Sequence, residues 1–182
     1  KGDLAMVTYL LTAAELPSEY GAPEKAIFRA IHNGKRDCVR ELLPKYPMAT
    51  TDQSGNTILM ALLEVGDEEL VRQAIALGAD LNALNREQVS GYFLAVRGNH
   101  QEVLELFPPA SVNLNQTDAS GVTLPMLCAR NGNARLFFEL SNETNLQSKD
   151  KEGRTVLYYA CLGQNWAILN ALLDKHPQLQ YP

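Results

Sequence analysis

Asp52-Gln53-Ser54-Gly55-Asn56-Thr57-Ile58-Leu59-Met60-Ala61-Leu62-Leu63 is a turn-forming run followed by an apolar run, and the pair returns along the chain. Thr123-Leu124-Pro125-Met126-Leu127-Cys128-Ala129 and Thr155-Val156-Leu157-Tyr158-Tyr159-Ala160-Cys161 are clear copies of its second half. A weaker copy begins at Ser90 and holds Phe93, Leu94 and Ala95. The weakest begins at Lys25 and holds Ile27, Phe28, Ala30 and Ile31. The starts at 25, 57, 90, 123 and 155 are separated by 32, 33, 33 and 32 residues. A period near 33 with two short helices per unit marks a stacked helical repeat. One such unit cannot bury its own apolar face, so neighbours must stack into a continuous core.

Residues 52–85 show how one unit is built. Gly55 supplies a positive φ, and the Asp52 and Ser54 side chains can bond nearby backbone groups. Thr57 stands where a hydroxyl can cap the helix that follows. The first helix is predicted over about Ile58 to Val65, and Gly66 breaks it. Glu68-Glu69 open a second helix, where carboxylates suit the positive helix end. Leu70, Val71, Ala74 and Ile75 form its apolar stripe at helical spacing. Gly78 ends it as a left-handed cap. The other second helices are predicted around Cys38–Leu43, Val103–Phe107, Leu136–Leu140 and Ile168–Leu173, with Pro44, Pro108, Pro109 and Pro177 at or after helix ends. The inner contacts are expected at Leu59, Leu70, Leu94, Val103, Leu127, Leu136, Leu157 and Ile168.

This phrase resembles the ankyrin family. Asp-x-x-Gly-x-Thr, an apolar helix with small residues, a Gly break and then Gly78-Ala79-Asp80-Leu81-Asn82-Ala83 are that family's pattern, and it covers nearly the whole chain. The resemblance implies an all-α solenoid of stacked helix-turn-helix units with hairpin tips. There are departures. The family's Thr-Pro-Leu-His is never intact, and Phe28, Met60, Phe93, Met126 or Tyr158 replaces its histidine. The Ser90 unit is the least regular, with Gln88 at the turn glycine and Gly91 in the first helical turn. Five units are expected at about 20–51, 52–84, 85–117, 118–149 and 150–182. Residues 1–19, with Met6 to Leu11, read as the second helix of a preceding repeat or as a half-repeat cap. The last unit offers Tyr158, Tyr159, Trp166 and Tyr181 instead of a polar outer face, which suggests an excised part of a longer protein.

Composition bounds the function. Of 182 residues, 46% are hydrophobic and 20% charged, which is ordinary globular composition. A net charge of -5 lacks the electrostatic footprint of a nucleic-acid binder. Leu4 to Leu16, broken by Thr8, Thr12 and Glu15, is too short and polar to span a membrane. Cys38, Cys128 and Cys161 form no C-x-x-C pair and each fills a small apolar helix slot. They read as reduced core thiols, which fits a cytoplasmic location. His32, His100 and His176 lie in separate units, so no metal-ligand spacing exists. No nucleotide-binding or hydrolase motif is found, and neither a catalytic residue nor a cofactor is expected. Asn115-Gln116-Thr117 and Asn142-Glu143-Thr144 are taken as chance matches to the glycosylation pattern.

The resemblance implies a protein-binding module that meets its partner through the turn tips and the exposed side of the first helices, a concave palm. Carried onto this sequence, one stacked row reads His32, Glu64, Arg97, Arg130 and Leu162, with Asn131 beside it. Arg86 and Arg154 at the tips make the palm locally basic on an acidic protein. Two readings of it stand. One is a dock for an acidic loop, in which Arg bonds carboxylates bidentately. The other is a solvated face of charges, each worth little alone. Trp166 is either an interface anchor or a residue packed on Tyr158 or on a missing next unit, and packing is the preferred reading. The partner expected is another protein, with the chain itself monomeric. Divergent arrays of this kind are also similar to those of bacterial effectors delivered into host cells. Among these are the arginine ADP-riboxanases, whose ankyrin part recognises host caspases. That likeness implies an alternative, the substrate-docking domain of a larger enzyme.

Overall fold

The computed structural model describes residues 24–107 and 113–175. Five of its helices are the predicted first helices: α1 (Glu24–His32), α3 (Ile58–Val65), α5 (Gly91–Gly98), α7 (Leu124–Arg130) and α10 (Val156–Leu162). The second helices are α2 (Arg36–Leu42), α4 (Glu68–Ala76), α6 (Gln101–Leu104), α8 (Ala134–Leu140) and α11 (Trp166–Lys175). A short helix, α9 (Glu143–Leu146), follows α8 and was not foreseen. The first helices pack in order, α1 on α3, α3 on α5, α5 on α7 and α7 on α10. Among the described residues there is no named strand, only isolated bridges at the tips, Thr51 with Thr57, Leu84 with Ser90, and Thr117 with Thr123. The expected helix at Met6 to Leu11, the segment Leu4 to Leu16, Pro108, Pro109, Pro177, His176 and Tyr181 lie outside the described residues.

Each tip is folded by one carboxylate or amide. Asp52 Oδ1 accepts from the backbone N–H of Ser54 and of Asn56, both at 2.8 Å. Asp118 repeats this with Ser120 and Val122 at 2.8 and 2.9 Å. Asp150 does so with Glu152 and Arg154 at 3.0 and 2.8 Å. In the irregular third unit Asn85 substitutes, accepting from Glu87 at 3.0 Å and Val89 at 3.1 Å. Gln88 there takes φ +61°, the left-handed conformation that Gly55, Gly121 and Gly153 hold in the other tips. A side chain in that region costs about 1–2 kcal/mol. Gln88→Gly should therefore raise stability by about 0.5–1 kcal/mol, after discounting glycine's greater freedom in the unfolded chain. A lowered melting temperature for that variant would refute the assignment of strain.

In the second and fourth units the caps explain how the family's histidine can be replaced by methionine. Thr57 Oγ1 accepts from Met60 N–H at 3.2 Å, while Met60 Sδ accepts from Thr57 N–H at 3.4 Å. Thr123 and Met126 do the same at 3.4 and 3.5 Å. A thioether is a weak acceptor, but it reciprocates the cap in a buried place where the amide would otherwise be orphaned. Polar side chains then tie the ends of the second and fourth units' first-helix segments to the next unit. His100 Nε2 lies 2.9 Å from the Glu64 carbonyl, and Asn165 Nδ2 donates to the Gly132 carbonyl at 2.6 Å. The first of these occupies a carbonyl in the last turn of α3, which the helix end leaves without an intrahelical partner.

The core is continuous through all five units, and Leu59, Leu70, Leu94, Val103, Leu127, Leu136 and Ile168 are buried in it as expected. Two expectations need correcting. Leu157 is only partly buried and Cys161 is exposed, while Tyr158, 43% exposed, is presented outward as expected. The positions that correspond to Tyr158 and Cys161 in earlier units, Met60 and Leu63, Phe93 and Val96, and Met126 and Ala129, are all buried. They are covered by the following unit, as Leu63 is by Gly91, where an added Cβ would stand 2.5 Å from Leu63 Cδ1. Among the described residues the fifth unit packs against the fourth alone. The second helix of the third unit is also shorter than predicted. It ends at Leu104 and continues as tight turns through Phe107. Pro108 follows Phe107 in the sequence, and the residue before a proline is disfavoured from the α region.

Candidate functional site

The surface expected to meet a partner is assembled by stacking. Arg97 Nη2 donates to Glu64 Oε1 at 3.0 Å, across 33 residues of sequence. This contact places the last turns of α3 and α5 side by side. The row starts at His32, which is exposed, and runs through Glu64 and Arg97 to Arg130, also exposed, and Leu162, 55% exposed. Its far end is close-packed at the backbone. A Cβ at Gly163 would stand 2.1 Å from the Ala129 carbonyl oxygen and 2.8 Å from that of Arg130, so only glycine lets α10 lie against the end of α7 this closely.

The charges of this surface differ from the expectation of a basic palm. Arg97 is held by Glu64, with Glu87 at 4.0 Å. Arg154 is held more firmly. Its Nε donates to Asp150 Oδ2 at 2.6 Å, it pairs with Glu152, and its guanidinium carbon lies 5.2 Å from the Tyr158 ring centroid. Asn131 donates its amide to the carbonyls of Val96 and Arg97 at 3.0 and 3.3 Å, so it is a junction residue. That leaves Arg86 and Arg130, both exposed and with no carboxylate within ion-pair distance among the described residues. The Arg86 backbone N–H donates to the Ser54 carbonyl at 3.0 Å, and Lys151 repeats this link to Ser120 at 2.9 Å, which locks neighbouring tips together.

Trp166 is 71% exposed. At that exposure it is not buried against Tyr158, one of the two packing partners expected for it. The aromatic partner of Tyr158 is Tyr159, at 5.6 Å between centroids. Tyr159 in turn is buried, not presented outward, because its hydroxyl donates to Asp150 Oδ2 at 2.7 Å. Burial alone would raise the Asp150 pKa, but the hydrogen bonds from Tyr159 and Arg154 outweigh it and hold the carboxyl at about 2. Burial, followed by the hydrogen bond to this anion, pushes the Tyr159 phenol up to about 12. Sequence reasoning missed this cluster, although Arg154 four residues after a tip aspartate was its available signal. Burial pushes the Cys128 thiol up to about 12, which suits a core cysteine and not a nucleophile.

Asn142, the acceptor of one glycosylation match, caps α9 by accepting from Asn145 N–H at 2.9 Å. Its amide donates at 3.2 Å to Asn115, the acceptor of the other match. Among the described residues no three His, Cys, Asp or Glu side chains come together as a metal site. None of the described helices is long and apolar enough to cross a membrane.

The comparison with known families agrees with this geometry. The family pattern described as ankyrin repeats in three copies matches residues 1–85 and again 92–181. The chain belongs to the ankyrin-repeat family. A protein of fowlpox virus (strain NVSL), named as an ankyrin repeat protein, FPV115, is 24% identical over 125 residues. That match covers 68% of this chain and 22% of the viral protein, so the chain spans about a fifth of that relative's length. The relative is viral, and neither match points to a bacterial effector. Ankyrin repeats generally mediate contacts between proteins and are generally non-catalytic.

Proposed function

We propose that this ankyrin array is a non-catalytic recognition module that binds another protein through its tips and its first-helix row. The observation that carries this reading is selective exposure within the first helices. In α3, α5 and α7 nearly every side chain is buried, while Glu64, Arg97 and Arg130 stay at the surface at the same step of each unit. A row kept at the surface on rigid, well-packed helices is a preorganised binding face. The exposed cations Arg86, Arg130 and Lys151 suit a partner that presents an acidic loop. Leu162 and Trp166 add large apolar surface of the kind that anchors interfaces. His32, Glu64, Arg97 and Arg154 then act mainly by shaping the face.

Photocrosslinking tests the reading. A photoreactive residue is placed at Gln53, Ala119 or Arg130, and in parallel at Glu102 and Arg72 on second helices. Crosslinks to one protein from the first three sites and not from the last two are the expected result. Equal or greater capture from the second-helix sites would place binding on the opposite face and overturn it.

A further inference from the structure

We infer that Arg130 and Leu162 form a two-part subsite for a partner segment carrying a carboxylate two or four residues from a large apolar side chain. This rests on the protein-recognition reading and sharpens it. The Glu64–Arg97 ion pair shows that row positions of adjacent units come within direct side-chain contact. Arg130 and Leu162 occupy the next two steps of the same row, and the absence of a side chain at Gly163 holds α10 against the last turn of α7. At the first of these two steps stands a cation with no carboxylate within reach among the described residues; at the second, a leucine 55% exposed.

The rest of the palm narrows the choice. Arg97 already has Glu64, and Arg154 has Asp150 and Glu152. A partner carboxylate would have to displace these internal ones, whereas at Arg130 it displaces only water. Helix axes in such stacks lie about 8–10 Å apart. An extended segment rises about 3.3 Å per residue and shows alternate side chains on one face. Residues two or four apart therefore face the same way and span about 7–13 Å, which brackets the step from Arg130 to Leu162. The carboxylate fits the guanidinium fork, and the apolar side chain covers the leucine. Charge complementarity selects this occupant over a wholly apolar one, which would bury Arg130 without a partner.

The test selects peptides from a random twelve-residue display library on the 182-residue chain and measures the binders by calorimetry at moderate salt. The expected binders share a carboxylate two or four residues from a large apolar residue. Their affinity falls at least tenfold with Arg130→Glu and with Leu162→Ala, and is unchanged by Glu102→Arg on α6. Arg97→Glu is avoided, since it would set a new carboxylate beside Glu64 and Glu87. Melting curves confirm that the Arg130 and Leu162 variants stay folded. Binders that ignore both changes but are lost with Gln53→Arg and Ala119→Arg overturn the subsite and leave recognition by the tips standing. Binders lost only with Glu102→Arg, or no binders at all, overturn the subsite and the recognition reading together.

Discussion

Leu127→Ala should destabilise the array by about 2–5 kcal/mol, the range for truncating a well-packed core leucine. Leu127 is buried in α7, which has a first helix packed on each side, α5 and α10. The surrounding residues are fixed by two junctions and cannot close easily over the space left behind. In a stacked array the loss acts on one unit and both of its interfaces, so unfolding should also become less cooperative. Urea unfolding followed by circular dichroism measures both effects. A change below about 0.5 kcal/mol would mean that the side chain contributes no more than a surface residue.

Asp150→Ala should cost about 2–4 kcal/mol, large for a residue at a turn tip. The side chain is fully buried and serves four donors, the backbone N–H groups of Glu152 and Arg154, the Arg154 guanidinium and the Tyr159 hydroxyl. Its removal leaves those donors without their acceptor, at about 1–3 kcal/mol for each that water cannot reach. Arg154 is 35% exposed and keeps Glu152, so its share is discounted. Asp150→Asn retains one acceptor oxygen and should lose less. The same cluster sets a pH dependence. Asp150 has a folded pKa depressed from 3.8 to about 2, so its contribution is complete above about pH 4 and disappears as pH falls towards 2. Tyr159 has a folded pKa raised from 10.0 to about 12, so the neutral phenol's contribution is complete below pH 10 and is lost as pH climbs to 12. Melting temperatures of wild type and Asp150→Asn should converge at the acid end. Parallel curves from pH 6 down to pH 2 would show that the carboxylate carries no linked stability.

Much of the fold was legible because its determinants are local. The tip aspartates bond amides two and four residues ahead, and Thr57 bonds one three residues ahead, so a short window of sequence contains both partners. Burial could be read from periodicity for Leu70, Val71 and Ala74, since helical spacing fixes which side of the helix they occupy. Even the least regular unit kept its form, because Asn85 offers the same acceptor as aspartate and Gln88 accepts the left-handed turn. The single-turn α6 shows the limit of propensity, since it ends at Leu104 although apolar spacing through Phe107 would continue it.

By itself, then, the sequence determined the repeat, the unit plan, the caps and the positions that form the first-helix row. Only tertiary structure decided which residues of that row remain available. Arg97 and Arg130 look equivalent along the chain, yet one meets Glu64 from 33 residues away and the other meets no carboxylate among the described residues. Asn131 was likewise claimed by the preceding unit, while Trp166 and Cys161 were left exposed. The physical reason is that a period fixes where each side chain lies within its unit. Ion pairing, hydrogen bonding and cover depend on which side chains the adjacent unit brings against it, and those meet only once the units have stacked.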